Sequence, residues 1–217
     1  MNTGKLKLKD VTLLGVDGVD DPAFMYAADI CRYYVDFGDV VLLRPSEHKD
    51  KDVVKLPQYW KDRFQGAEWR DAQNEFALTQ MYKYVSTSHF LIFQYDGYIL
   101  NPDAWDNNFL KYDYIGAPWS HHDKPNVGNG GFSLRSKRIA EWSSKHITKD
   151  FSPEDLVYGR YQRSFFESLG AKYAPNKVAA KFSIENGVWN NEFGFHNPKI
   201  TDIKSWNIPK ALNTLLS

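Results

Sequence analysis

The sequence predicts a single α/β domain, with a central, mostly parallel twisted sheet flanked by helices and a smaller mixed β region in the second half. Three observations carry that prediction. Val11–Val16 and Val40–Leu43 are short β-branched and Leu-rich runs separated by a helix-like segment, the β-α-β spacing of a parallel sheet. His89–Phe93 (HFLIF) repeats the composition of a strand buried on both faces. No repeat, low-complexity linker or break in composition divides the 217 residues.

Taken in order, Val11–Val16 ends at Asp17-Gly18, a strand running into a turn. Asp21-Pro22 opens a helix expected to reach about Phe37, and Gly38-Asp39 and Arg44-Pro45 bound the second strand. Ser46–Asp52 is charged and Pro-free, is followed by Leu56-Pro57, and reads as an exposed loop. Asp71–Val85 places Phe76, Ala77, Met81 and Tyr84 near helical spacing. The strand His89–Phe93 runs into Gln94-Tyr95-Asp96-Gly97, which puts Asp96 at the carboxyl edge of the sheet, where open α/β sheets bind ligands. Gly128–Arg135 (GNGGFSLR) predicts a tight turn re-entering a strand. Ser136–His146 and Pro153–Leu169 read as helices, the second with Ser152 as N-cap and Glu154-Asp155 in its first turn. From Ala171 the chain reads as β-like and mixed.

Composition removes several function classes. Lys plus Arg number 27 and Asp plus Glu number 27, so the formal net charge is zero and no basic excess marks a nucleic-acid binder. The only cysteine, Cys31, excludes an internal disulfide framework and a Cys-rich zinc module, and a reducing, cytoplasmic compartment follows as the expectation. No apolar run approaches the roughly 20 residues that span a bilayer, and no signal-type apolar core follows the lysines of Met1–Asp10. The aromatic count, 14 Phe, 13 Tyr and 7 Trp, exceeds what a small core requires.

Four features can carry chemistry. Asp96 can hold a hard divalent cation that keeps waters and substrate phosphates, or it can cap a turn with Gly97. The glycine run at 128–131 leaves room for a close neighbour such as a sugar, or it closes a hairpin; it has neither the P-loop nor the dinucleotide pattern. Glu154-Asp155 is ordinary helix-start chemistry, and a carboxylate there can also act as a general base. His196, between Phe195 and Asn197-Pro198, is a packed histidine or a nitrogen ligand in a mixed oxygen and nitrogen shell, whereas His121-His122 reads as exposed.

The order of these features, Asp96, then Gly-Asn-Gly-Gly-Phe-Ser-Leu, then Pro-Glu-Asp, then Phe-Gly-Phe-His, resembles the GT-A glycosyltransferase superfamily. Gln94–Arg135 (QYDGYILNPDAW, YDYIGAPW, VGNGGFSLR) is similar to GT-A-like domains found in bacterial and large-DNA-virus polysaccharide genes. The likeness runs from Val11 to about His196 and is most specific over Asp113–Arg135. It implies residues 1–97 as a nucleotide-binding half, 98–200 as an acceptor and catalytic half, and 201–217 as a tail of one domain.

Carried over residue by residue, the resemblance implies Asp96 and His196 as ligands of Mn²⁺ or Mg²⁺, Asp155 as base and Glu154 as its neighbour or substitute. Asp17, Gln94 and Tyr95 join Asp96 on the donor side, and Trp119, Gly128, Asn129, Gly130, Gly131 and Phe132 line the acceptor side. Gln94 stands where the family's Asp-x-Asp motif has its first carboxylate. The implied activity is inverting transfer from a nucleotide diphosphate sugar, expected to be UDP-linked, to a hydroxyl of a glycan or glycoprotein, in the host cytoplasm if the gene is viral. A retaining transferase, a metal-dependent phosphohydrolase and a noncatalytic carbohydrate-binding module stacking sugars on Trp105, Trp119 and Trp189 are the alternatives.

Overall fold

The computed structural model describes residues 4–119, 126–151 and 153–197. Its frame is a six-stranded sheet in the order β3-β2-β1-β4-β6-β5. The strands are β1 (Leu6–Val16), β2 (Val35–Arg44), β3 (Val53–Lys55), β4 (His89–Ile92), β5 (Tyr114–Gly116) and β6 (Ser133–Ser136). The first four named in that order are parallel to one another, whereas β6 is antiparallel to both β4 and β5. Helices flank the sheet, so the protein is a mixed α/β fold with a mostly parallel centre.

That topology has one consequence for chemistry. The carboxyl ends of β1 and β4 lie on one edge, and β6, running the other way, brings its amino end to the same edge. The turns after β1 and β4 therefore meet the glycine loop that precedes β6.

Helix α1 (Pro22–Tyr34) starts as the sequence indicates: Asp21 Oδ1 accepts the Ala23 N–H at 2.8 Å and Pro22 fills the first turn, where no N–H is needed. It stops three residues before Phe37. The β-branched Val35 enters the ladder opposite Leu6 instead, and β2 runs straight through Gly38-Asp39. Gly38 is no strand end: the β1–β2 register shifts between Leu8 and Thr12, and a methyl on Gly38 would overlap the Lys9 carbonyl. Strand β3 and helix α2 (Gln58–Phe64) follow the loop at 46–52, with Pro57 at the α2 N-cap.

Helix α3 (Trp69–Thr79) is followed by a separate 3₁₀ turn, Met81–Tyr84, rather than one continuous helix. Thr79 ends it by returning its hydroxyl to the Glu75 carbonyl at 2.7 Å. Helix α4 (Lys137–His146) takes Ser136 as N-cap. The predicted helix Pro153–Leu169 is three pieces: α5 (Glu154–Leu156), a π-helical turn at Val157–Tyr161 and α6 (Arg163–Ser168). The irregular turn carries Gly159, against which the Trp119 ring and Gly128 pack. Ser152 lies outside the described residues, as do His121-His122 and 198–217.

The tail from Ala171 is mixed, but it also contains helix α7 (Asn176–Phe182) after Pro175. Strands β7 (Ser183–Glu185) and β8 (Gly194–His196) then form a parallel pair. This pair docks on the turn after β4, with Leu100 N–H on the Phe193 carbonyl at 3.0 Å and Asn197 N–H on the Asp96 carbonyl at 3.0 Å. Beneath it, Phe132, Phe182 and Phe193 stack with Phe109 and Trp105 into one aromatic core. Full burial of each such ring contributes about 1.5–3 kcal/mol.

Candidate functional site

At the shared sheet edge lies a cleft of about 1020 Å³. Asp17, Gln94, Tyr95, Asp96, Asn129, Gly130, Gly131, Glu154, Asp155 and His196 all line it, although the chain separates them by up to 179 positions. Trp119, Gly128 and Phe132 are not among its lining residues. Phe132 is fully buried against Phe182 and Phe193, and the Trp119 ring lies under Arg160 and on Gly128. Nor do Trp105 and Trp189 line it: Trp105 packs on Phe109 and Phe193, and the Trp189 indole N–H donates to the Glu192 carbonyl at 3.0 Å.

The glycine loop is explained by what presses on it. A methyl on Gly128 would meet the Trp119 ring, one on Gly130 the Glu154 carboxylate, and one on Gly131 the His196 imidazole. The close neighbours are thus the protein's own side chains. None of the three has a positive φ, so close approach rather than backbone conformation demands glycine.

The two adjacent carboxylates have different surroundings. Glu154 is tied to Arg135, whose guanidinium reaches both carboxylate oxygens at 2.9 Å. Arg135 is itself wholly buried, donates to Ser133 Oγ at 3.1 Å and lies 4.9 Å from the ring centres of Tyr114 and Tyr158. Asp155 has no such clamp among the described residues; its Oδ1 accepts the Leu156 N–H at 2.8 Å. Burial, reinforced by the neighbouring Glu154 charge, pushes its carboxyl up to about 6.

Asp17 is already engaged. Its Oδ1 accepts the Val19 N–H at 2.9 Å and its Oδ2 faces the Arg44 Nε at 3.3 Å, while burial raises its carboxyl above the ordinary value. Tyr95 is 57% exposed on the rim. Gln94 and Gly97 exchange backbone hydrogen bonds of 3.0 and 3.1 Å, closing the turn that carries Asp96.

Asp96 Oδ1 is buried and has no hydrogen-bond partner among the described residues, a costly state for a carboxylate. His196 Nε2 lies 3.7 Å from it and 3.1 Å from Gln94 Oε1. Among the described residues no group of three or more His, Cys, Asp or Glu could hold a metal ion. The orphaned oxygen, the imidazole and the amide oxygen suit an Mn²⁺ or Mg²⁺ ion that draws its other ligands from water and phosphate. Arg70 is the only Lys or Arg among the described residues lining the cleft, so an anionic ligand would find little cationic side-chain charge there.

Residues 56–196 match the family described as protein of unknown function (DUF5672). The chain belongs to that family. The DUF5672 match runs from just before α2 to the end of β8, taking in Asp96, the glycine loop, Glu154, Asp155 and His196 and leaving out Asp17. No curated protein matches the chain. Among solved structures it is similar to a glycosyltransferase involved in the glycosylation of the major capsid of PBCV-1, with 14% identity over 86% of this chain and 91% of that one and a TM-score of 0.46. No helix among the described residues is long and apolar enough to cross a membrane.

Sequence reasoning did not assign Arg135, although it closes the Gly-Asn-Gly-Gly-Phe-Ser-Leu-Arg run, nor Glu185, which also lines the cleft. A buried arginine has no local signature. Glu185 precedes Asn186-Gly187, a turn signal that marks the end of a short strand.

Proposed function

We propose that this DUF5672 chain is a glycosyltransferase that moves a sugar from a nucleotide diphosphate sugar, expected to be UDP-linked, to a hydroxyl of a glycan or glycoprotein acceptor. The observation that carries the reading is the cleft's pairing of an unclamped carboxyl titrating at about 6, Asp155, with the orphaned Asp96 oxygen beside His196. Two different chemical tasks are thereby assigned to one cavity.

Asp155 takes the proton of the acceptor hydroxyl. As the acceptor oxygen bonds to the anomeric carbon in line, from the face opposite the diphosphate, the bond from that carbon to the diphosphate breaks and its electron pair leaves on the phosphate oxygen, which gives inversion. A carboxyl titrating at about 6 is a stronger base than an ordinary aspartate and is still mostly ionised at pH 7. Glu154, the neighbouring carboxylate, is held by Arg135 through both oxygens, and its charge helps to raise Asp155. Asp96 and His196, with Gln94 beside them, would hold Mn²⁺ or Mg²⁺. When bound, that cation supplies charge neutralisation for the departing diphosphate, which a cleft with a single arginine lacks. The three tryptophans of a sugar-stacking module lie outside the cleft, and that favours the transferase over the binding module.

The test is to incubate the protein with Mn²⁺, a panel of nucleotide sugars and simple glycosides, following release of the nucleotide. Asp155→Asn is expected to keep donor binding and to lose roughly 10²–10⁴-fold in turnover; undiminished turnover removes Asp155 as base. Asp96→Ala is expected to weaken Mn²⁺-dependent UDP binding in calorimetry, and unchanged binding leaves Asp96 a turn residue.

A further inference from the structure

Glu185, unassigned so far, stands on the far side of the His196 ring from Asp96. In the parallel β7–β8 ladder Glu185 is the register partner of His196, so the two side chains share a face. Glu185 Oε1 lies 3.5 Å from His196 Nδ1, while Gln94 Oε1 and Asp96 Oδ1 lie 3.1 and 3.7 Å from Nε2. Among the described residues the ring's other hydrogen-bonding neighbour is the Asn129 side-chain nitrogen, 3.0 Å from Nδ1.

These contacts describe a ring whose Nε2–H donates to Gln94 and whose Nδ1 accepts from Asn129. A neutral imidazole carries one N–H, and a cation can bind only the nitrogen that lacks it. For Nε2 to become a ligand, its N–H must break and one must form on Nδ1, with no net change in protons. Asn129 is poorly placed to receive that proton, because its Oδ1 accepts the Phe132 N–H at 3.4 Å and its amide presents a donor to the ring. The carboxylate facing Nδ1 is Glu185.

We infer that Glu185 is a positioning residue of the cation site: it accepts the Nδ1–H of His196 and so presents Nε2, together with Asp96, to a divalent ion. The inference rests on the reading of Asp96 and His196 as the residues that hold the cation. A carboxylate behind a ligating imidazole fixes the ring and raises its basicity, and loss of such a partner typically weakens metal binding 10–100-fold. Glu185 is built into the ladder that carries the ligand, so the pairing needs no loop to close.

The experiment uses Mn²⁺ alone as probe, with binding followed by electron paramagnetic resonance on the full chain and its Asp96→Asn, Glu185→Ala and Glu185→Gln variants. The wild type is expected to bind and Asp96→Asn to lose binding. Glu185→Ala should be about 10–100-fold weaker, and Glu185→Gln, which keeps the volume and an acceptor oxygen, should lose less. With ¹⁵N-histidine labelling, Mg²⁺ is expected to move the His196 proton from Nε2 to Nδ1 in the wild type and not in Glu185→Ala. If Glu185→Ala binds like wild type while Asp96→Asn does not, the role of Glu185 is overturned and the site stands. If Asp96→Asn also binds like wild type, the cation reading fails and this inference with it. Should Glu185→Ala not fold, Glu185→Gln decides: wild-type affinity and an unmoved proton on Mg²⁺ addition overturn the proposal.

Discussion

Asp155 and Glu154 are chemically alike and adjacent, yet Arg135 forks onto Glu154 alone and leaves Asp155 buried beside a second negative charge. The helix-start pattern around them is legible in the sequence, but the choice between them is not, since the deciding arginine is 19 residues away and on another element. The choice has a thermodynamic signature. Asp155 ordinarily titrates near 3.8 and here near about 6, so the folded state binds its proton more tightly than the unfolded chain does. Its contribution to stability is complete below about pH 4 and is lost as the pH rises through about 6, leaving a cost of at most ~3 kcal/mol at neutral pH. Asp155→Asn removes the charge that bears this cost. The variant is expected to exceed the wild type in stability by ~1–3 kcal/mol at pH 8, with the gap closing at pH 4, as read from urea unfolding at the two pH values. A gap independent of pH would mean that burial does not raise this carboxyl.

At the scale of elements, strands with a strong local pattern were legible and short elements held by long-range contacts were not. β4 is visible as His-Phe-Leu-Ile, and the amphipathic run into α3 is visible in its spacing. β3 has three residues and depends on pairing with β2, and the break between α5 and α6 depends on the close approach of Trp119 and Gly128 to Gly159. The glycine loop shows the same division. Its need for closeness is written in the sequence, but the partner is not, and a ligand and a side chain demand the same glycine. Two substitutions separate closeness from conformation. Gly131→Ala drives a methyl into the His196 ring and is expected to cost ~1–3 kcal/mol while displacing the His196 signals in a histidine-labelled NMR spectrum. Gly170→Ala meets nothing within 4 Å but has a φ of +92°, so it is expected to cost ~1 kcal/mol through backbone strain and to leave those signals in place. If both move His196 alike, contact with Gly131 does not position the ring.

Across the whole molecule, the aromatic surplus and the zero net charge meet at Arg135. Much of the surplus is structural, in the Trp105, Phe109, Phe132, Phe182 and Phe193 core and in the pair Tyr114 and Tyr158 that faces the guanidinium. A balanced composition can still place a full charge in the interior when each charge has its partner, and Arg135 joins β6, the Gly130 carbonyl and the start of α5 in one knot. Removing one member of such a pair strands the other, whereas removing both replaces charge by apolar volume. Arg135→Met is therefore expected to lose about 3 kcal/mol or more, because Glu154 is left unpaired beside Asp155. The double variant Arg135→Met with Glu154→Met is expected to recover at least half of that loss, and urea unfolding of the two single variants and the double gives the coupling directly. If the double variant is as unstable as Arg135→Met alone, the contacts of the guanidinium with Tyr114 and Tyr158, rather than its pairing with Glu154, secure the second half of the chain to the sheet.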